Sequence, residues 1–130
     1  MANYEELESE IYIEIENLGK LAEEMKQLLA RSSEDKDFTE VRAAGSILHD
    51  FYCGIERIFE KIAVTVDKNF PKGESWHNEL LFQMTKPIDG ARGKVVTEGL
   101  MQKLKEFLRF RHLFRNIYGF ELKWDGVRSL

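Results

Sequence analysis

A single cysteine, Cys53, excludes an intrachain disulfide and fits a reducing compartment. Its neighbours Phe51, Tyr52 and Ile55 make it a structural thiol on this reading, not a nucleophile. The two prolines, Pro71 and Pro87, leave long stretches free of helix breakers. No apolar run approaches the length of a membrane span. The opening residues Met1 to Glu6 are polar and acidic, unlike a secretory leader. The expected location is therefore cytoplasmic, with no membrane contact. Glycine-rich phosphate loops and nucleophile elbows are missing. No helix carries two His or Cys at ligand spacing, and Glu10, Glu14, Glu23 and Glu24 lack the Glu-x-x-His pairs of a carboxylate metal bundle. The reading therefore calls for no metal and no other cofactor. Gly45-Ser46 is not followed by paired aspartates, which argues against a nucleotidyltransferase.

What the chain does have is helical periodicity. Its 130 residues, 43% of them apolar, suit one compact domain with a core of its own. From Tyr4 to Arg31, apolar residues fall at Ile11, Ile15, Leu18, Ala22, Met25 and Leu29, steps of four and three that predict an amphipathic helix. Ser32 to Asp35 break the pattern and offer caps for a second helix, over Phe38 to Asn69. Its stripe runs through Val41, Ala44, Leu48, Phe51, Ile55 and Phe59, and Pro71 and Gly73 stop it. A short helix is predicted over Ser75 to Thr85, capped by Ser75, with Trp76, Leu80, Leu81 and Met84 on its apolar side. Residues 88–95 read as a loop because of Asp89-Gly90 and Arg92-Gly93. The last long helix starts at the Thr97 cap, follows Leu100, Leu104, Leu108, Arg111, Phe114 and Tyr118, and stops at Gly119. The tail, through Glu121 to Asp125, is read as either a strand or another helical turn. No repeat or linker divides the chain, so the expectation is a single all-α domain over residues 1–130, a bundle of four or five helices.

Charge is distributed unevenly. The net charge is −4, which is not the balance of a general nucleic-acid coat. The first helix is strongly acidic. The stretch from Lys103 to Arg115, by contrast, carries Lys103, Lys105, Arg109, Arg111 and Arg115 against Glu106 alone. Arg111 stands where its own apolar stripe calls for a hydrophobic residue, and a buried guanidinium is costly unless paired. On a continuous helix Arg115 and Tyr118 would lie about 40° and about 20° from it, with His112 and Asn116 on the neighbouring face. Two readings follow. One is structural: an arginine reaching solvent at the bundle edge, or paired with the acidic first helix. The other is an anion site, two guanidiniums for a phosphate with an imidazole or phenol to carry a proton. His49 and His77 read as surface, paired or structural histidines.

The segment Phe110-Arg111-His112-Leu113-Phe114-Arg115-Asn116-Ile117-Tyr118 resembles the C-terminal signature of HepT-like HEPN proteins. That signature is an arginine, often followed by a polar residue, then a histidine and, two residues later, a tyrosine. Arg111, His112 and Tyr118 match it, and Trp76-His77 with Leu80, Leu81 and Met84 is similar to the family's short third helix. Asn116 stands at the histidine position.

The resemblance implies a homodimeric HEPN-type bundle, the toxin of a HEPN/MNT toxin–antitoxin pair. It implies a metal-independent endoribonuclease that cleaves tRNA or mRNA by attack of the 2′-hydroxyl on the adjacent phosphate. The histidine would move the proton and the arginine would hold the phosphate. An MNT-type nucleotidyltransferase antitoxin is the implied partner, and in part of the family it adds AMP to the motif tyrosine, here Tyr118. On this basis Arg111, Asn116 and His112 are the candidate catalytic positions, and Arg115 and Arg109 the candidate phosphate ligands. Asparagine exchanges no proton near neutral pH, so the chain is expected to be inactive or severely impaired. Three explanations for Asn116 are taken in order of preference: a change introduced to make a toxic protein tolerable, natural loss of catalysis with binding kept, and substitution by His112. The alternative function is a non-enzymatic helical interaction module that binds a nucleotide, an RNA phosphate or a partner protein.

Overall fold

The computed structural model describes residues 4–31, 36–118 and 121–130. The expected caps at Ser32 to Asp35 and the expected helix stop at Gly119 fall outside these residues. Among these residues five α-helices are seen: α1 (Tyr4–Leu29), α2 (Phe38–Ile62), α3 (Trp76–Gln83), α4 (Glu98–Asn116) and α5 (Trp124–Arg128). Among the described residues the only strand-like feature is an isolated bridge between Ile88 and Arg92, closed by a turn with Gly90 at φ 77°. The all-α reading holds, and the arrangement is that of a HEPN-type helical bundle.

Local sequence sets the helix starts. Asp37 caps α2 in a reciprocal box: its carboxylate accepts from the Glu40 N–H at 2.8 Å, and Glu40 accepts from the Asp37 N–H. Thr97 Oγ1 accepts from the Leu100 N–H at 3.1 Å and opens α4 as expected. Ser75, by contrast, makes no side-chain cap on α3. That short helix is held by tertiary packing instead. Leu80, Leu81 and Met84 are fully enclosed, each contributing about 2 kcal/mol relative to exposure.

The expected α1 stripe is half right. Ile11, Leu18 and Met25 face the bundle, but Ile15, Ala22 and Leu29 are exposed, and Leu7, Leu21 and Leu28 take their places. The buried stripe runs through position 14, a glutamate. Glu14 reaches Arg57 of α2 at 3.0 Å, so a charged residue sits where periodicity calls for an apolar one. Further along, Glu10 pairs with Lys61 at 3.4 Å, and Leu18 approaches Gly54. The order of these contacts makes α1 and α2 antiparallel.

α2 then packs antiparallel on α4. Gly45 faces Phe110 and Phe114, while Tyr52, Phe59 and Ala63 join Leu108, Leu104 and Met101 in one core cluster. A second cluster joins Leu28, Val41, Ala44, Ile47 and Phe110 to Val127 of α5, with Phe107 packed against both. The tail thus forms another helical turn and closes the end of the bundle.

The end of α2 also departs from expectation. The α-helix stops at Ile62, and a π-helical turn, Ala63–Asp67, continues it to Lys68, which takes the left-handed conformation at φ 55°. This turn places Asp67 against Arg92. Arg92 Nε and Nη2 donate to the two carboxylate oxygens at 2.6 and 2.7 Å, and Gln83 Nε2 adds a third bond at 2.7 Å. Arg92 Nη1 also donates to the carbonyls of Lys86 and Gly93, which ties down the loop before α4.

Candidate functional site at the α2–α4 groove

The α2–α4 packing divides the residues that the sequence singles out. Arg111 turns toward α2. It is half-buried, its Nε is enclosed with no hydrogen-bond partner, and it makes no ion pair among the described residues. The structural alternative of a salt bridge to the acidic first helix is not realised, because the paired α1 carboxylates engage Arg57 and Lys61. The charge of Arg111 acts instead on Tyr52 and His49 of α2.

His49 is the site residue that reading α4 alone misses. It lies one helical turn before Cys53, and its ring nitrogens stand 3.8–3.9 Å from the Cys53 sulfur. Its Nδ1 is 3.7 Å from Asp50, and its ring lies 4.9 Å from that of Phe114. Burial lowers its pKa, and the Arg111 and Arg115 guanidiniums lower it further against the raising effect of Asp50. Beside it, burial and the charge of Glu56 push the Tyr52 phenol up, against Arg111. Tyr52 Oη is buried and also without a hydrogen-bond partner. Cys53 is half-buried, less enclosed than its apolar neighbours in the sequence suggest. The only sequence signal for this wall is its spacing: Arg42, Ser46, His49 and Cys53 recur at steps of four, three and four.

The remaining α4 candidates face outward. Arg109, His112, Arg115 and Asn116 are all exposed. The Asn116 amide donates to the His112 carbonyl of its own helix at 2.6 Å. α4 ends at Asn116, and Ile117 is extended, at φ −126° and ψ 162°. Tyr118 therefore leaves the helical face on which it was expected beside Arg111. A reciprocal pair with Glu121 holds it: the Tyr118 N–H donates to the Glu121 carboxylate at 2.8 Å, and the Glu121 N–H donates back to the Tyr118 carbonyl at 2.9 Å. The Tyr118 residue is 71% exposed. Within one chain, then, Arg111 is set apart on the α2 side with His49, the exposed Arg115 acts on His49 through its charge alone, and His112, Asn116 and Arg109 are exposed on α4.

His77 is structural. Its Nδ1 lies 2.8 Å from buried Glu56, and its ring stacks on Trp76 at 3.6 Å, which pins α3 to α2. Among the described residues no cluster of three His, Cys, Asp or Glu is placed to hold a metal ion. Nor, among them, is any helix long and apolar enough to cross a membrane.

The bundle of five helices among the described residues is consistent with the HEPN-type fold. A family model of HepT-like proteins matches residues 43–130, from the second turn of α2 through the tail, and the chain belongs to that family. No curated protein and no solved structure matches it.

Proposed function

We propose that this chain is the toxin subunit of a HEPN/MNT pair, a metal-independent endoribonuclease of one domain that acts in the cytoplasm as a homodimer. The observation that carries this reading is Arg111: a guanidinium held half-buried, without an ion-pair partner among the described residues, whose charge acts with that of Arg115 on the His49 imidazole. A half-buried cation with no counter-charge among the described residues is suited to an anion that arrives from outside. In the proposed reaction the 2′-oxygen forms a bond to the adjacent phosphorus and the bond to the 5′-oxygen breaks. A cyclic phosphate and a protonated 5′-hydroxyl result. Arg111 stabilises the charge that develops on the phosphoryl oxygens, and Arg115 and Arg109 hold neighbouring phosphates.

Proton transfer belongs to position 116. Asn116 cannot perform it, so the chain as it stands is inactive or severely impaired. The outer face with His112, Asn116 and Arg109 is the part that a second subunit would complete. Tyr118 is the acceptor for AMP from an MNT-type nucleotidyltransferase. Its exposure suits that role, and an adenylyl phosphate there would oppose RNA by charge and bulk.

Asn116 itself favours a second reading, a binding module that keeps the phosphate site without chemistry. The two separate on one comparison: the chain and its Asn116→His form, incubated with a tRNA pool in EDTA. Cleavage by the histidine form alone is expected, and adding Arg111→Ala should slow that form by about 10²–10³-fold. If neither form cleaves while both remain folded, the ribonuclease reading fails and the binding module stands. Cleavage by both forms would move the proton-transfer role to another group, His112 first.

A further inference from the structure

A pocket of about 370 Å³ opens in the α2–α4 groove, lined by Arg42, Ser46, Phe114, Ile117 and Leu122. Arg42 and Ser46 are one turn apart on α2, and His49 follows on the same face. Glycine at position 45 is what allows the pocket to close on its inner side. A Cβ there would stand 2.8 Å from Leu122 Cδ1 and 3.3 Å from Phe114 Cε2. The pocket therefore has aromatic and aliphatic walls with a guanidinium and a hydroxyl among them.

Its surroundings are cationic. Arg115 follows Phe114 in sequence, and Arg111 lies one turn before it. Of the acidic groups, Asp50 lies 3.7 Å from His49, and Glu121 accepts the Tyr118 N–H. A bare phosphate would be served by the guanidiniums and would leave the apolar walls unused. Duplex RNA presents phosphates and sugars but keeps its base faces stacked inside, whereas an unpaired strand can turn a base out onto an aromatic side chain.

Building on the ribonuclease reading above, we propose that this pocket receives an unstacked nucleobase of single-stranded RNA, with the adjoining phosphate on Arg111 and Arg115. The substrate class is then an unpaired loop or end rather than a duplex. Ser46 and Arg42 meet the polar edge of the base, and Phe114 meets its face.

The test uses fluorescence anisotropy of a labelled single-stranded oligoribonucleotide with the chain as it stands. Ser46→Leu fills the pocket from an exposed position of α2 and suits a helix. It is expected to weaken binding about ten-fold or more, whereas Lys94→Ala, in the loop before α4, should leave it unchanged. An abasic strand of the same length should bind as weakly to the unaltered chain as the normal strand binds to Ser46→Leu, and should be insensitive to that substitution. A matching duplex should bind more weakly than the single strand. Should Ser46→Leu fail to fold, as judged by circular dichroism, Arg42→Ala serves in the same comparison. Unchanged affinity in the pocket variant, together with loss in Arg111→Ala, would overturn the base pocket and leave the phosphate site intact. Duplex binding as tight as single-strand binding would also overturn it. Unchanged affinity in Arg111→Ala as well would remove the ribonuclease reading on which the pocket rests.

Discussion

His49 reports on Arg111. Burial lowers the imidazole's pKa first and the guanidinium lowers it second, so neutralising residue 111 should raise it. An NMR titration of the His49 ring in Arg111→Gln is expected to show that rise, and an unmoved pKa would mean that Arg111 does not face α2. The same shift has a consequence for stability. An unfolded histidine titrates near pH 6.5. Between that value and the lower folded pKa, the unfolded state binds more protons. The contribution of His49 is thus intact above about pH 6.5 and is lost as the pH falls through the window below it. His49→Gln should flatten this part of the profile, measured as urea midpoints at pH 7.5 and 5.5. Residue identities alone revealed Arg111 as out of place in an apolar stripe. They did not reveal that its neighbours are His49 and Tyr52, because those contacts cross between helices more than fifty positions apart.

Among the elements, the connection from α2 to α4 depends on one ion pair more than on regular structure. The Asp67 side chain is fully enclosed, and the Arg92 side chain is 10% exposed. Burial raises the Asp67 carboxyl, but the hydrogen bonds from Arg92 and Gln83 and the charge of Arg92 outweigh it, and the net shift is downward. Removing one partner of such a pair strands the other. Asp67→Ala is accordingly expected to cost about 3 kcal/mol in a denaturant titration, where a surface pair would cost less than about 1 kcal/mol. A loss below 1 kcal/mol would show that the loop is held by the Val95 and Val96 bonds to the Met84 carbonyl instead. Sequence signals located this loop, through Asp89-Gly90, but not its anchor. The π-helical turn that presents Asp67 has no signature in composition or period. Caps were legible where the side chain does the capping, as at Thr97. They were not legible at Ser75, where packing of Leu80, Leu81 and Met84 holds the helix without help from the cap.

At the scale of the whole molecule, an acidic protein carries a cationic groove. The carboxylates of α1 are spread along a helix whose inner face pairs with Arg57 and Lys61 of α2, so the net charge of −4 says little about the α2–α4 side. Single-strand binding through Arg111 and Arg115 would release counterions from two phosphates. A plot of log affinity against log salt should then fall with a slope of about −1.4, and Arg115→Ala should reduce its steepness by about 0.7. A slope near zero would place binding on uncharged contacts and remove the guanidiniums from it.

By itself, the sequence determined the helical class, the positions of the long helices, the α4 cap and the resemblance to the HepT-like family. These follow from local periodicity, from turn and cap chemistry, and from a motif contiguous in the sequence. Only the tertiary structure decided which face of α1 is buried, since the core-facing position 14 is a charged residue satisfied by a distant arginine. It also decided that α4 ends at Asn116 and carries Tyr118 away from the helical face. Above all, it divided the motif residues between an inner groove shared with α2 and an outer face. That division depends on the register of two antiparallel helices, set by how closely α2 can approach α4 at Gly45, and no local pattern in either helix encodes it.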